Sequence, residues 1–227
     1  MPILIPRIIH YVWLGNKPMH PLMIQWRKDW QKLHPGWEIK VWAEGPIIGE
    51  LVDGSHVLKS HFPHMLERCC HLSQRSNIWR YELIEQLGGL YLDPDFEPVK
   101  CIEPIIKDMP AFAGQALTSY TEAGTRRTKI EVGCSLIGSV PHHPWAQDLR
   151  DSLENRDSSV SRSLGFGYFT EITSRHPEVH LFEPDTFYST KYDDQGRYKP
   201  AIPSSSYAVH RWSSNWFPNG FKPIRQP

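Results

Sequence analysis

Residues 87–99, LGGLYLDPDFEPV, join two glycines, a short apolar run and two carboxylates. Gly88 and Gly89 can end a preceding helix, because a left-handed cap costs glycine little. Leu90, Tyr91 and Leu92 then read as a short central strand. Pro94 has no N–H to give a ladder, so the strand must stop near Asp93. Asp93 and Asp95 therefore stand at the carboxyl end of a strand, where open α/β sheets bind ligands. Residues i and i+2 share a side of extended backbone, so both acids can face one site. Two such carboxylates repel, and a divalent cation relieves that cost. The same residues also read as a solvated Asp-Pro-Asp turn.

Upstream, Leu72, Trp79, Leu83 and Leu87 recur at helical spacing, which predicts one long helix from about Leu66 to Leu87. Asn77 and Arg80 lie three positions apart, near one side of that helix and away from its leucines. Arg80 reads either as a cation aimed at a ligand or as a surface ion pair with Glu82 or Glu85. Nearer the start, residues 8–13 form an Ile- and Val-rich strand. Pro21 opens a helix with Leu22, Trp26, Trp30 and Leu33 in register, Pro35-Gly36 stops it, and residues 37–42 form a second strand. Strand, helix, strand is the beginning of an α/β sheet. Residues 43–65 look irregular. Two more strands are expected at 111–115 and 132–139, separated by a polar stretch at 118–130 that reads as a mobile loop or an excursion over the surface, with helices at 144–153 and 166–175. HLFEPDTFY and YAVHRW read as short strands and their exits. Without a repeat or linker, residues 1–227 are expected to form a single α/β domain with an irregular C-terminal closing segment.

Composition narrows the function. Lys plus Arg and Asp plus Glu are 25 each, so no polybasic nucleic-acid surface is expected. Nine tryptophans and nine tyrosines suit sugar faces, nucleobases or a core equally. Cys69, Cys70, Cys101 and Cys134 show no metal spacing and read as thiols in a reducing compartment. MPILIPRIIHYVWLG lacks the marks of a signal peptide, and no stretch is long and apolar enough to cross a bilayer. The expectation is a cytoplasmic protein, with contact at the inner membrane surface left open.

IPRIIHYVWLG, SNIWRYELIEQLGGLYLDPD and YAVHRWSSNW, in that order, resemble the DXD-containing glycosyltransferase sugar-binding family. That family is related to initiation-specific alpha-1,6-mannosyltransferase and to clostridial toxin glucosyltransferase domains. The resemblance implies a GT-A-like α/β nucleotide-diphospho-sugar transferase fold with a central, mostly parallel mixed sheet. It implies retaining transfer of a sugar from a nucleoside diphosphate sugar, a UDP-sugar rather than a GDP-sugar, with Mn²⁺ or Mg²⁺. The acceptor hydroxyl would belong to a saccharide, a lipid-linked glycan, a metabolite or a protein. By this resemblance Trp13 lies against the nucleobase, Arg80 reaches the donor, Asp93 holds hydroxyls and Asp95 is the principal metal ligand. His210 joins the metal, and Ser214, Asn215 and Trp216 close on the diphosphate.

Two positions depart from the family pattern: Asn77 stands where an aspartate is usual, and Ser214-Asn215-Trp216 replaces Ser-Trp. Other readings remain open: Trp13 as a core side chain, His210 as a turn histidine, and Trp216 as hydrophobic closure. Glu131 and Ser135 are candidates for acceptor contacts or structure, while His142 and His143 read as structural or as part of an acceptor loop. Two alternative functions are hydrolysis of a nucleotide sugar and carbohydrate binding without catalysis.

Overall fold

The computed structural model describes residues 3–160, 163–190 and 202–213. The chain begins with β1 (Ile8–Val12), α1 (Pro21–Leu33) and β2 (Glu38–Glu44), then β3 (Glu50–Val52) and β4 (Val57–Lys59). α2 (Pro63–Arg68) and α3 (Leu72–Leu87) lead into β5 (Gly89–Leu92) and β6 (Phe96–Pro98). After α4 (Glu103–Ile106) come β7 (Ala111–Glu122), β8 (Thr125–Ser139), α5 (Pro144–Asp151) and α6 (Phe166–Thr173). β9 (His180–Phe182), α7 (Pro184–Phe187) and β10 (Ala208–His210) follow.

Eight strands form a mixed sheet in the order β4-β3-β2-β1-β5-β8-β7-β9. β1 is parallel to both its neighbours, β2 and β5, and β7 is parallel to β9; the other four pairings are antiparallel. The chain passes from β1 to β2 on one side and later to β5 on the other. The carboxyl end of β1 is therefore a switch point, flanked by the carboxyl ends of β2 and β5. Side chains alternate across the sheet into two cores. Val12, Trp42 and Tyr91 pack with Trp79, Leu83, Trp145 and Phe169 on the side of α3, α5 and α6. Tyr11, Leu90 and Leu92 pack with Trp30, Phe96, Ile106 and Phe187 on the side of α1, α4 and α7.

The glycine pair behaves as expected. Gly88 caps α3, and both glycines have positive φ, 63° and 85°. A Cβ at Gly89 would lie 2.7 Å from the Ile8 carbonyl oxygen, a backbone atom that cannot swing aside. His10 secures this turn from below. Its Nε2 lies 3.0 Å from the Gly88 carbonyl, and Trp42 Nε1–H donates to its Nδ1 at 3.0 Å. Burial pushes the His10 pKa down to about 4, against the raising effect of the Gly88 carbonyl. A neutral ring with Nε2–H donating satisfies both partners.

Three expectations change. The helix expected over 66–87 is broken at residues 69–71, where His71 is extended (φ −136°, ψ 146°). The Gln74 side chain accepts from the His71 N–H at 2.8 Å, so a capping pair starts a new helix inside the apolar pattern. The irregular 43–65 stretch contains β3 and β4, two three-residue antiparallel strands. The loop expected at 118–130 is the outer half of a β7–β8 ribbon turning at Ala123-Gly124, both with positive φ. Backbone pairing holds it, and its exposed residues on β8 explain a polar sequence that carries little strand signal.

Candidate active site

β5 ends at Leu92, and the Asp93 N–H donates to the Ser135 carbonyl of β8 at 2.8 Å. The chain turns through Pro94 into β6, which pairs antiparallel with β10 and sets His210 opposite Phe96. The His210 ring stacks on Phe96 with centroids 4.6 Å apart. Asp93, Asp95 and His210 are all buried, and each offers a ligand atom within 4.8 Å of the others.

The two acids have different partners. Asp93 Oδ1 accepts from Arg80 at 2.9 Å and from the Tyr91 hydroxyl at 2.8 Å. Arg80 is itself buried, and its other terminal nitrogen donates to the Cys134 carbonyl at 2.7 Å. Its guanidinium also lies 4.8 Å from the Tyr91 ring centroid. Burial alone would disfavour the Arg80 charge, yet Asp93 beside it holds the pKa well above the ordinary value. Asp95 lies 3.1 Å from His210 Nε2 and accepts from both the backbone N–H and hydroxyl of Ser213, at 2.8 and 2.9 Å. Burial would raise the Asp95 pKa; facing His210 and the Ser213 donors, the carboxyl is held below the usual range.

A hard divalent cation fits this donor set. Two carboxylates and one imidazole converge, and oxygen-rich sets of this kind suit Mn²⁺ or Mg²⁺. The His210 Nε2 is the ring atom turned to Asp95, while its buried Nδ1 has no hydrogen-bond partner among the described residues.

Asn77 is half-buried on α3, one turn before Arg80. Trp13 is half-buried at the end of β1, its backbone N–H on the Trp42 carbonyl and its indole donating to the Lys17 carbonyl at 2.7 Å. Ser214, Asn215 and Trp216 lie outside the described residues. Glu131 bonds within the ribbon, to Thr118 and Lys129. Ser135 serves through its backbone, since its N–H and that of Leu136 both donate to the Tyr188 hydroxyl at 3.1 Å. His143 caps α5, and His142 pairs with Glu85 at 3.0 Å.

Four contributors had escaped the sequence reading: Tyr91, Cys134, Tyr188 and Ser213. Tyr91 was recoverable, because it shares strand parity with Asp93. Cys134 sits in an irregularity in β8, where Ala113 pairs with Ile137 but Gly114 pairs with Gly133, and Tyr188, just after α7, accepts from that stretch. No sequence spacing signals that jump.

Residues 22–111 match the family model for the glycosyltransferase sugar-binding region containing the DXD motif. Asn77, Arg80, Asp93 and Asp95 fall inside that match; Trp13 and His210 fall outside it. A mannosyl phosphorylinositol ceramide synthase of Saccharomyces cerevisiae is 29% identical over 160 residues, covering 68% of this chain and 36% of that protein. The chain thus spans about a third of that relative's length. An uncharacterized glycosyltransferase of Acanthamoeba polyphaga mimivirus is 24% identical over 231 residues, 95% of this chain and 85% of that one. Among solved structures, PaToxG Glycosyltransferase superposes with a TM-score of 0.52 at 16% identity, over 76% of this chain and 70% of its own. The fold is of the GT-A class.

Proposed function

We propose that this chain, whose residues 22–111 belong to the family of the glycosyltransferase sugar-binding region containing the DXD motif, transfers a sugar from a nucleoside diphosphate sugar to a hydroxyl acceptor. The observation that carries this reading is the buried convergence of Asp93, Asp95 and His210 within 4.8 Å. Asp95 and His210 would hold Mn²⁺ or Mg²⁺, with Asp93 at its side. Such a cation supplies positive charge where a departing diphosphate gathers negative charge.

The chain's own residues do the rest. Arg80, anchored by the Cys134 carbonyl, adds a directed cation that cannot swing away. Asp93, already oriented by Arg80 and Tyr91, retains lone pairs for sugar or ribose hydroxyls. Asn77 offers an amide donor and acceptor to the same end. In our reading the bond from the anomeric carbon to the phosphate oxygen breaks as the acceptor oxygen bonds the same face. The acceptor proton then passes to the departing phosphate, and the anomeric configuration is retained.

The yeast relative's name points to an acceptor hydroxyl on a lipid head group, that of phosphorylinositol ceramide. A peripheral meeting with such a substrate at the cytoplasmic face of a membrane completes the proposal. No described helix is long and apolar enough to cross a membrane.

The test is nucleoside diphosphate release with Mn²⁺ and a panel of acceptors, together with NMR of the product's anomeric proton. Asp95→Ala should lose metal-assisted turnover while keeping its circular dichroism spectrum. Unaltered turnover by that variant would remove the assignment. Release that no acceptor accelerates would reassign the site to hydrolysis.

A further inference from the structure

A second feature at the same sheet edge is not used by the diphosphate or metal roles. Between the carboxyl end of β2, the following loop and the first turns of α3 lies a cavity of about 310 Å³. Glu44, Ile47, Ile48, Leu66, Arg75 and Trp79 line it. Arg75 and Trp79 are four residues apart on α3 and so share a face, and Trp79 directly precedes Arg80. Trp79 is 1% exposed, and its indole N–H has no hydrogen-bond partner among the described residues. That N–H is itself shut off from the cavity, so Trp79 contributes an apolar floor rather than a donor. Glu44 and Arg75, both lining the cavity, meet at 2.6 Å, and both side chains are partly exposed.

The cavity adjoins the end of β1. The Trp13 N–H donates to the Trp42 carbonyl, two residues before Glu44. The Leu72 side chain covers Gly15, 2.8 Å from where a Cβ there would stand. A ligand here needs a flat apolar body for Ile47, Ile48 and Leu66. Its edge must offer donors to a carboxylate beside acceptors for a guanidinium.

We propose that Glu44 and Arg75 read the base of the donor nucleotide and select guanine. The inference rests on the nucleotide-sugar reading above and deepens it. Guanine carries adjacent N1–H and N2–H donors, which a carboxylate can accept together, next to O6 and N7, which an arginine can bind bidentately. Uracil has a single N–H between two carbonyls, whose lone pairs would face the Glu44 carboxylate. Adenine presents a bare ring nitrogen where guanine presents N1–H. This proposal departs from the uridine donor that the family resemblance implies.

The test is calorimetric titration of the full chain, with Mn²⁺ present, by GDP, IDP and UDP. GDP should bind tightest, and IDP, which lacks the exocyclic amine, roughly tenfold weaker. Glu44→Gln should weaken GDP by on the order of 10- to 100-fold and leave UDP within about twofold. Arg75→Lys, which keeps the charge but loses the fork, should weaken GDP more than UDP. Equal affinity for GDP and UDP, or equal weakening of all three by Glu44→Gln, would overturn the assignment. Asp95→Ala separates the two ideas. If it weakens every nucleotide while the wild type shows no base preference, the donor reading stands and the guanine assignment fails. If no nucleotide binds the wild type, both fail.

Discussion

Arg80→Ala is the most informative single perturbation of the fold around the site. Arg80 and Asp93 are each 3% exposed, and their charges meet at 2.9 Å. Removing the guanidinium leaves Asp93 buried, with the Tyr91 hydroxyl at 2.8 Å as its remaining side-chain donor among the described residues. It also strands the Cys134 carbonyl that Arg80 satisfies. Breaking a buried pair by deleting one partner costs about 3–5 kcal/mol, because the surviving charge is uncompensated. For a domain of this size that corresponds to a fall in Tm of roughly 6–20 °C.

The second arm is Arg80→Ala with Asp93→Asn. A neutral amide removes the lone charge and still accepts from Tyr91, so the double variant should regain on the order of 2 kcal/mol over Arg80→Ala. Urea unfolding of the wild type, both single variants and the double closes a thermodynamic cycle. A loss below about 1 kcal/mol for Arg80→Ala, or strictly additive single effects, would refute the view of these two residues as a desolvated pair.

Other perturbations test the supports of the site. Glu82 is fully buried, and burial pushes its pKa up from 4.5 to about 7 despite donors from Ser60 and His61. The folded state thus keeps its proton to higher pH than the unfolded chain, and stability should fall as pH rises from about 4.5 to about 7. Glu82→Gln should flatten that fall and be more stable than wild type at pH 8 by roughly 3 kcal/mol, read from urea midpoints across pH. His10 shows the opposite sign: its folded pKa near 4 lies below the ordinary 6.5, so stability is lost as pH drops through that interval. NMR titration of its ring should give a midpoint near 4, and a midpoint at 6.5 would show that the Gly88–His10–Trp42 contact is not made. Gly89→Ala combines a left-handed φ with a backbone clash and should destabilise by at least about 2 kcal/mol in thermal unfolding.

Several elements were legible because their signals are local. Pro21 and the Trp26–Trp30 spacing mark α1, and the α1 helix begins at Pro21 as expected. Gly88-Gly89 marks the end of α3, and Pro94 the end of β5. The ribbon was not legible, because the outer half of β8 is exposed on both faces and needs no apolar alternation. Nor was the break at His71, since the leucine and tryptophan spacing runs on from α2 into α3 while capping redirects the backbone.

Sequence alone thus determined the α/β character of the chain, the strand exit that carries Asp93 and Asp95, and the helix that carries Asn77 and Arg80. These depend on backbone stereochemistry and periodicity within a few residues. Only the tertiary structure decided that Asp95 meets His210 and Ser213 across more than a hundred positions, and that Arg80 spends its donors on Asp93 and Cys134 together. Those contacts come from strand order and from the irregular β7–β8 register, which are set by burying both faces of one sheet at once rather than by any neighbouring residue.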